Sequence, residues 1–138
     1  MKIELSPSSI FLVSQGIVLM GLGIYFVFKR PPLLPEDPRF MGTTHAEIQA
    51  TVPGLLIWLR RVLWVMGGFM FATGLLTTFI AVTAFQQMIP GAGYVVALAS
   101  LASIGLMTAV NFMINSDFKW LLLAFNLPWI VALVLSWR

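Results

Sequence analysis

The chain contains no cysteine, which excludes disulfides, thiolate metal sites and thiol nucleophiles together and leaves the redox compartment undefined. Charge is nearly as scarce. Charged residues make up 9% of the 138 residues and hydrophobic residues 59%, whereas about a quarter of a soluble globular domain is charged. Such a composition belongs in lipid. The net charge of +3 comes from bases scattered through apolar sequence, a pattern that suits membrane orientation and not nucleic acid, so no nucleic-acid partner is expected. Recognisable catalytic motifs are also missing: there is no Walker A loop, HExxH, GxSxG or dinucleotide glycine pattern.

What the chain does have is long uncharged runs. Residues 8–28 contain no charge, and about 21 residues at 1.5 Å rise cross a hydrocarbon core of roughly 30 Å. Ser6 followed by Pro7 suits a helix N-cap and first turn. A cleavable signal peptide is the competing reading, but the run is long and ends in Tyr25-Phe-Val-Phe-Lys-Arg without a small-residue cleavage site. Residues 62–85, 94–114 and 117–137 supply three further spans. Pro90, Gly91 and Gly93 break the second from the third, and Asn115-Ser116-Asp117 offers cap chemistry to the fourth. The expected fold is all-α: a multi-pass integral membrane protein with four helices in one compact bundle, and an ordered polar loop over residues 29–61 between helices 1 and 2.

That loop holds five of the eight basic residues, three of the five acids and five of the eight prolines. Pro31 and Pro32 end the first helix, and Pro35 and Pro38 keep the following residues extended. Thr44 and Glu47 have capping-box spacing, which predicts a short helix from His45 to about Thr51. Leu55 to Trp58 is apolar but precedes Arg60 and Arg61. Because a central arginine costs about 2.5–3.5 kcal/mol on insertion scales, this piece is expected to lie along the membrane surface. With the two bases at the chain ends, Lys2 and Arg138, set against six in the first and third loops, a bacterial-type inner membrane would hold both loops in the cytoplasm and both termini outside.

Helices in lipid associate through close packing and hydrogen bonds. Gly67, Phe71, Gly74, Thr78, Ala81 and Phe85 share one face of the second helix, and Gly68 and Ala72 form a neighbouring small-xxx-small pair. In the third helix Ser100, Ser103, Asn111 and Asn115 share about a third of the circumference and should face protein. Pro128 removes the hydrogen bond to the Ala124 carbonyl and should kink the fourth helix beside Asn126, so Asn111 and Asn126 are expected to bond across the bundle. Gln15 is expected to be solvated near a membrane end.

The polar loop carries the remaining candidates: Glu36, Asp37, Arg39, His45 and Glu47. His45 and Glu47 do not share a helical face and make a poor metal pair. A single histidine outside the spans makes a poor haem site. No metal or cofactor is expected. No span carries a charged residue away from its ends, which argues against proton pumps and ion-coupled transporters. The leading expectation is a noncatalytic accessory or assembly subunit that contacts the bilayer and other membrane subunits, or copies of itself, with the loop as docking surface. The alternatives are an oligomeric channel or carrier for a small neutral or apolar solute, lined by Ser100, Ser103, Asn111 and Asn126, and a lipid- or quinone-modifying enzyme using Glu36, Asp37, His45 or Glu47.

Overall fold

The computed structural model describes residues 4–137; Lys2 and Arg138, the two bases counted at the chain ends, lie outside them. The described chain is helical, with no strand, and four helical stretches are long and apolar enough to cross a membrane. The first is α1, Pro7–Phe28. Ser6 caps it, its hydroxyl accepting from the Ser9 amide at 3.2 Å, with Pro7 at the first helical position.

Two short helices follow, α2 (Glu36–Met41) and α3 (His45–Thr51). The expectation of extended chain through Pro38 is corrected. Pro38 is the third residue of α2, within the first turn, where a missing N–H costs no hydrogen bond. Both parts of the capping box form at α3: the Thr44 hydroxyl accepts from the Glu47 amide at 3.2 Å, and the Glu47 carboxylate accepts from the Thr44 amide at 2.9 Å.

The second long helix, α4, is continuous over Leu55–Ile80 and runs on through a π turn, Ala81–Phe85. It begins earlier than expected, so Leu55 to Trp58 is not a separate surface segment. No proline follows Pro53 until Pro90, and nothing in Arg60-Arg61 opposes helix. Thirty-one residues extend about 46 Å, longer than a hydrocarbon core, so the arginines can stand in the projecting first turns.

The third stretch is broken in register but not in direction: α5 (Ala92–Ser100), a π turn (Leu101–Gly105) and α6 (Leu106–Met113). Asn115 then takes a left-handed φ of 52°. The Ser116 amide reaches the Asn111 carbonyl at 2.9 Å and the Asn115 amide reaches that of Phe112 at 3.1 Å, a Schellman ending. The fourth stretch starts two residues later than expected, as α7 (Lys119–Ala124) and α8 (Leu127–Ser136), with Pro128 in the first turn of α8. Asp117 does not cap it. The Ser116 hydroxyl instead accepts from the Phe118 amide at 3.1 Å.

Packing is centred on α1, which lies between α4 on one side and α8 on the other, while α5 meets α8. The α1–α4 contact is set by glycine. A Cβ at Gly16 would stand 2.7 Å from the Gly74 carbonyl, and one at Gly23 would stand 2.6 Å from that of Gly67. Both pairs are seven residues apart, so the helices run antiparallel with their backbones in contact. The register continues past the helix ends, where Gln86 donates to the Glu4 carbonyl at 3.2 Å and accepts from the Ser6 amide at 3.0 Å. Gly67 and Gly74 are thus buried as the seven-residue pattern implies, together with Ala81 and Phe85. Gly68 and Ala72 are exposed, and nothing approaches within 4 Å of a Cβ at Gly68.

Candidate functional site

Two groups of polar side chains hold candidate residues, one inside the helices and one where the loop meets the turn before α7. The inner one forms because the fourth stretch breaks. The Asn126 amide N–H turns to the Leu123 carbonyl at 3.0 Å, which leaves the Leu122 carbonyl without the partner an unbroken α-helix would give it. The Asn126 side chain replaces that partner: Nδ2 donates to the Leu122 carbonyl at 2.8 Å. The single Thr108 hydroxyl hydrogen has the Ile104 carbonyl of its own helix at 2.8 Å and the Leu122 carbonyl at 3.2 Å. Asn126 Nδ2 also donates to Thr108 Oγ1 at 2.8 Å, and Asn126 Oδ1 accepts from Trp129 Nε1 at 3.0 Å. Asn126, Thr108 and Trp129 are all buried, and the asparagine amide has both of its hydrogens and its oxygen engaged.

The expected Asn111–Asn126 bond is therefore corrected: the partner of Asn126 is Thr108. Asn111 is half-exposed and its amide donates to the Met107 carbonyl of its own helix at 2.8 Å. The π turn explains the exchange. One added residue per turn retards the helical phase by about 100°, which carries Thr108 toward the centre of the face marked by Ser100 and carries Asn111 to its edge. Val96, Ser100, Ile104 and Thr108 are the buried residues of this stretch. Ser103 is half-buried and bonds back to the Ala99 carbonyl at 2.6 Å. It was the Leu122 carbonyl, and not that of Ala124 as expected, that side chains satisfied.

Gln15 also departs from expectation. It is fully buried on the face of α1 that carries Leu12 and Leu19, and neither its amide nitrogen nor its oxygen meets a partner among the described residues.

The loop site is built on Glu36. Its side chain is 1% exposed, and Oε1 accepts from the Ser116 hydroxyl at 2.7 Å, while Oε2 has no partner among the described residues. Because Ser116 Oγ also accepts from the Phe118 amide, one hydroxyl joins the start of α2 to the turn before α7. Around it, Arg39 pairs with Asp117 at 3.2 Å, and the Asn115 side chain accepts from Lys119. Asp37 accepts from the Leu34 amide at 2.7 Å and stands 3.9 Å from Arg30. Glu36 is thus withdrawn from any docking surface. Arg39, His45 and Glu47 are exposed, and Asp37 is half-buried.

The acids do not converge. Glu36 belongs to the contact between α2 and the turn at Ser116, Asp37 to the loop's own turn, and Glu47 to the cap of α3. At that cap Glu47 Oε2 accepts from the Thr43 hydroxyl at 2.8 Å and from the Thr44 amide and hydroxyl. The Thr43 bond first, then those from Thr44, hold its carboxyl below the ordinary value. Sequence reasoning missed Thr108 and the burial of Glu36. A hydroxyl in an apolar run one turn from Ile104 was a visible signal for the first, but none marked the second.

Comparison with protein families, with characterised proteins and with solved structures gives no match to this chain.

Proposed function

We propose that this is a noncatalytic multi-pass membrane protein that acts through contacts, as an accessory or assembly subunit of a larger membrane complex or of an assembly of its own copies. Membrane placement is supported by inverted polarity. Phe69 (72% exposed), Leu98 and Phe79 point outward, whereas Gln15, Thr108 and Asn126 are buried; water favours the reverse arrangement and hydrocarbon favours this one. The four spans form a helical bundle whose loop side, at Glu36 and Ser116, faces the cytosol of a bacterial-type inner membrane, by the excess of bases there.

The observation that carries the subunit reading is the isolation of α4. Its extensive contact is with α1, and Leu63, Gly67 and Gly74 are its only buried residues between Leu55 and Ile80. Most of its circumference is left for lipid or for another protein. The transport alternative needs polar groups free to face a lumen. Asn126 is committed to Thr108, Leu122 and Trp129, which favours a structural role for that amide.

Since the chain has no cysteine, single cysteines are unique probes. Gln49→Cys and Gln87→Cys should label from opposite sides of the membrane with an impermeant reagent; labelling from one side overturns the topology. Leu76→Cys on the outer face of α4 should crosslink to a discrete protein species in the native membrane, and purification in mild detergent should retain that species. A protein that is monomeric and alone in both measurements overturns the subunit reading.

A further inference from the structure

We propose that Arg60 and Arg61 form a binding site for the phosphate of an acidic phospholipid. The inference rests on the membrane placement argued above and adds a ligand to it. The glycine pairs fix the level of every residue on α1 and α4: with Gly16 beside Gly74 and Gly23 beside Gly67, Lys29 falls level with Arg61 and Arg30 with Arg60. Four bases therefore share one depth.

They are not equivalent. Arg30 is occupied by Asp37 at 3.9 Å, by the Pro31 carbonyl and by the Phe26 ring. Neither Arg60 nor Arg61 has a carboxylate within ion-pair distance among the described residues; those pairs are Arg30–Asp37 and Arg39–Asp117. Arg61 lies over the Trp64 ring, 4.5 Å from its centroid, a contact that attracts the guanidinium to the ring face. The two arginines line an open groove of about 470 Å³ with Pro32, Leu56, Ile57 and Trp64. Two cationic forks beside an apolar wall are the complement of an amphiphile with an anionic head, because guanidinium matches phosphate oxygens in bidentate geometry.

Depth selects a lipid over a soluble anion. From Phe85, at the far end of the helix, to Arg61 the rise is about 36 Å, just beyond a hydrocarbon core of roughly 30 Å. That puts the guanidiniums at headgroup level and Trp64 at the acyl boundary, where aromatic rings settle.

The test uses the full chain reconstituted from detergent into phosphatidylcholine vesicles. Co-flotation with these zwitterionic vesicles checks membrane insertion alone, so its failure overturns the placement and, with it, the lipid site that rests on that placement. Native mass spectrometry of the protein offered equal phosphatidylglycerol and phosphatidylcholine then reads the site, with at least tenfold preference for phosphatidylglycerol expected. R60Q/R61Q should bring the ratio within twofold, whereas R39Q/K119Q, which removes the same charge from the same face, should leave it unchanged. Should R60Q/R61Q fail to reconstitute, R60K/R61K decides, because it keeps the charge and loses the fork and is expected to reduce the preference at least threefold. No preference in the unaltered protein overturns the proposal. So does equal loss in both glutamine variants, full retention in the lysine variant, or displacement of the lipid by 10-fold excess inorganic phosphate.

Discussion

Along the α1–α4 contact, Gly16, Gly23, Gly67 and Gly74 bring two backbones together by presenting no side chain. In the corner between α6 and the α7–α8 break, Thr108, Asn126 and Trp129 join helices by supplying polar atoms. The first contact gains dispersion from continuous close approach and leaves no room for an added atom. The second tolerates an interrupted helix because the Asn126 amide takes over a carbonyl that the backbone has released and donates its other hydrogen to the Thr108 hydroxyl. The two regions should therefore fail differently, one to a single methyl group and the other to loss of hydrogen bonding at constant volume.

The largest effect is expected at Gly74. A Cβ there meets the Gly16 carbonyl at 2.5 Å and the Met20 amide nitrogen at 2.7 Å; both are backbone atoms, so only separation of the helices relieves the clash. Gly74→Ala should destabilise by about 3 kcal/mol, the upper part of the range for overpacking. Gly68→Ala, on the open side of the same helix, should be neutral or stabilise by up to about 1 kcal/mol through helix propensity. Thermal unfolding in one detergent compares them directly. Equal melting temperatures for the two variants would show that the α1–α4 backbones are not in contact.

Asn126→Leu comes next. It strips the partner from Trp129 Nε1 and the amide donor from the Leu122 carbonyl, and should cost about 1–2 kcal/mol, between the values for unsatisfied buried groups and for interhelical bonds in membranes. Asn111→Leu, whose amide bonds only within its helix, should change stability by under about 0.5 kcal/mol. Thr108→Val combined with Asn126→Leu should fall short of the sum of the single changes, since each removes the same bond from Asn126 Nδ2 to Thr108 Oγ1. Full additivity would break the idea that this corner is a unit.

The contrast between the regions also governs what could be read from the sequence. Heptad spacing of Gly67 and Gly74 was legible because an uninterrupted helix keeps its phase, and the partner glycines 16 and 23 have the same spacing in α1. The face of the third helix was legible only up to Ser100. Beyond it a π turn, which no residue in Leu101–Gly105 announces, rotated the pattern and exchanged Asn111 for Thr108. The α4 start was misplaced because cost of insertion was weighed for Arg60 and Arg61 while the helix was free to project past the core. Glu36 was unreadable for a different reason: its burial depends on the turn at Ser116, 80 residues away, and local sequence around it resembles any solvated Pro-Glu-Asp-Pro turn.

Outside both regions lies the cap of α3, which sharpens the comparison by showing a polar contact with water at hand. Glu47 is exposed, and the bonds from Thr43, then from the Thr44 amide and hydroxyl, lower its pKa from the ordinary 4.5. A carboxyl lowered in the folded state stabilises the fold above its unfolded pKa and loses that contribution as pH falls through the folded value. The cap should thus be intact at pH 6 and weaken only below about pH 4.5, with the Asn126 corner unchanged over the same range because it contains no titrating group. Amide hydrogen exchange at Thr44, whose N–H donates to the Glu47 carboxylate, should accelerate, relative to intrinsic rates, between pH 5 and pH 3, and Thr43→Val should move that transition upward. A transition centred above pH 4.5 in the unaltered protein would mean that the three hydrogen bonds to Oε2 do not favour the ionised form, and that this cap, unlike the buried corner, is not held together by its polar groups.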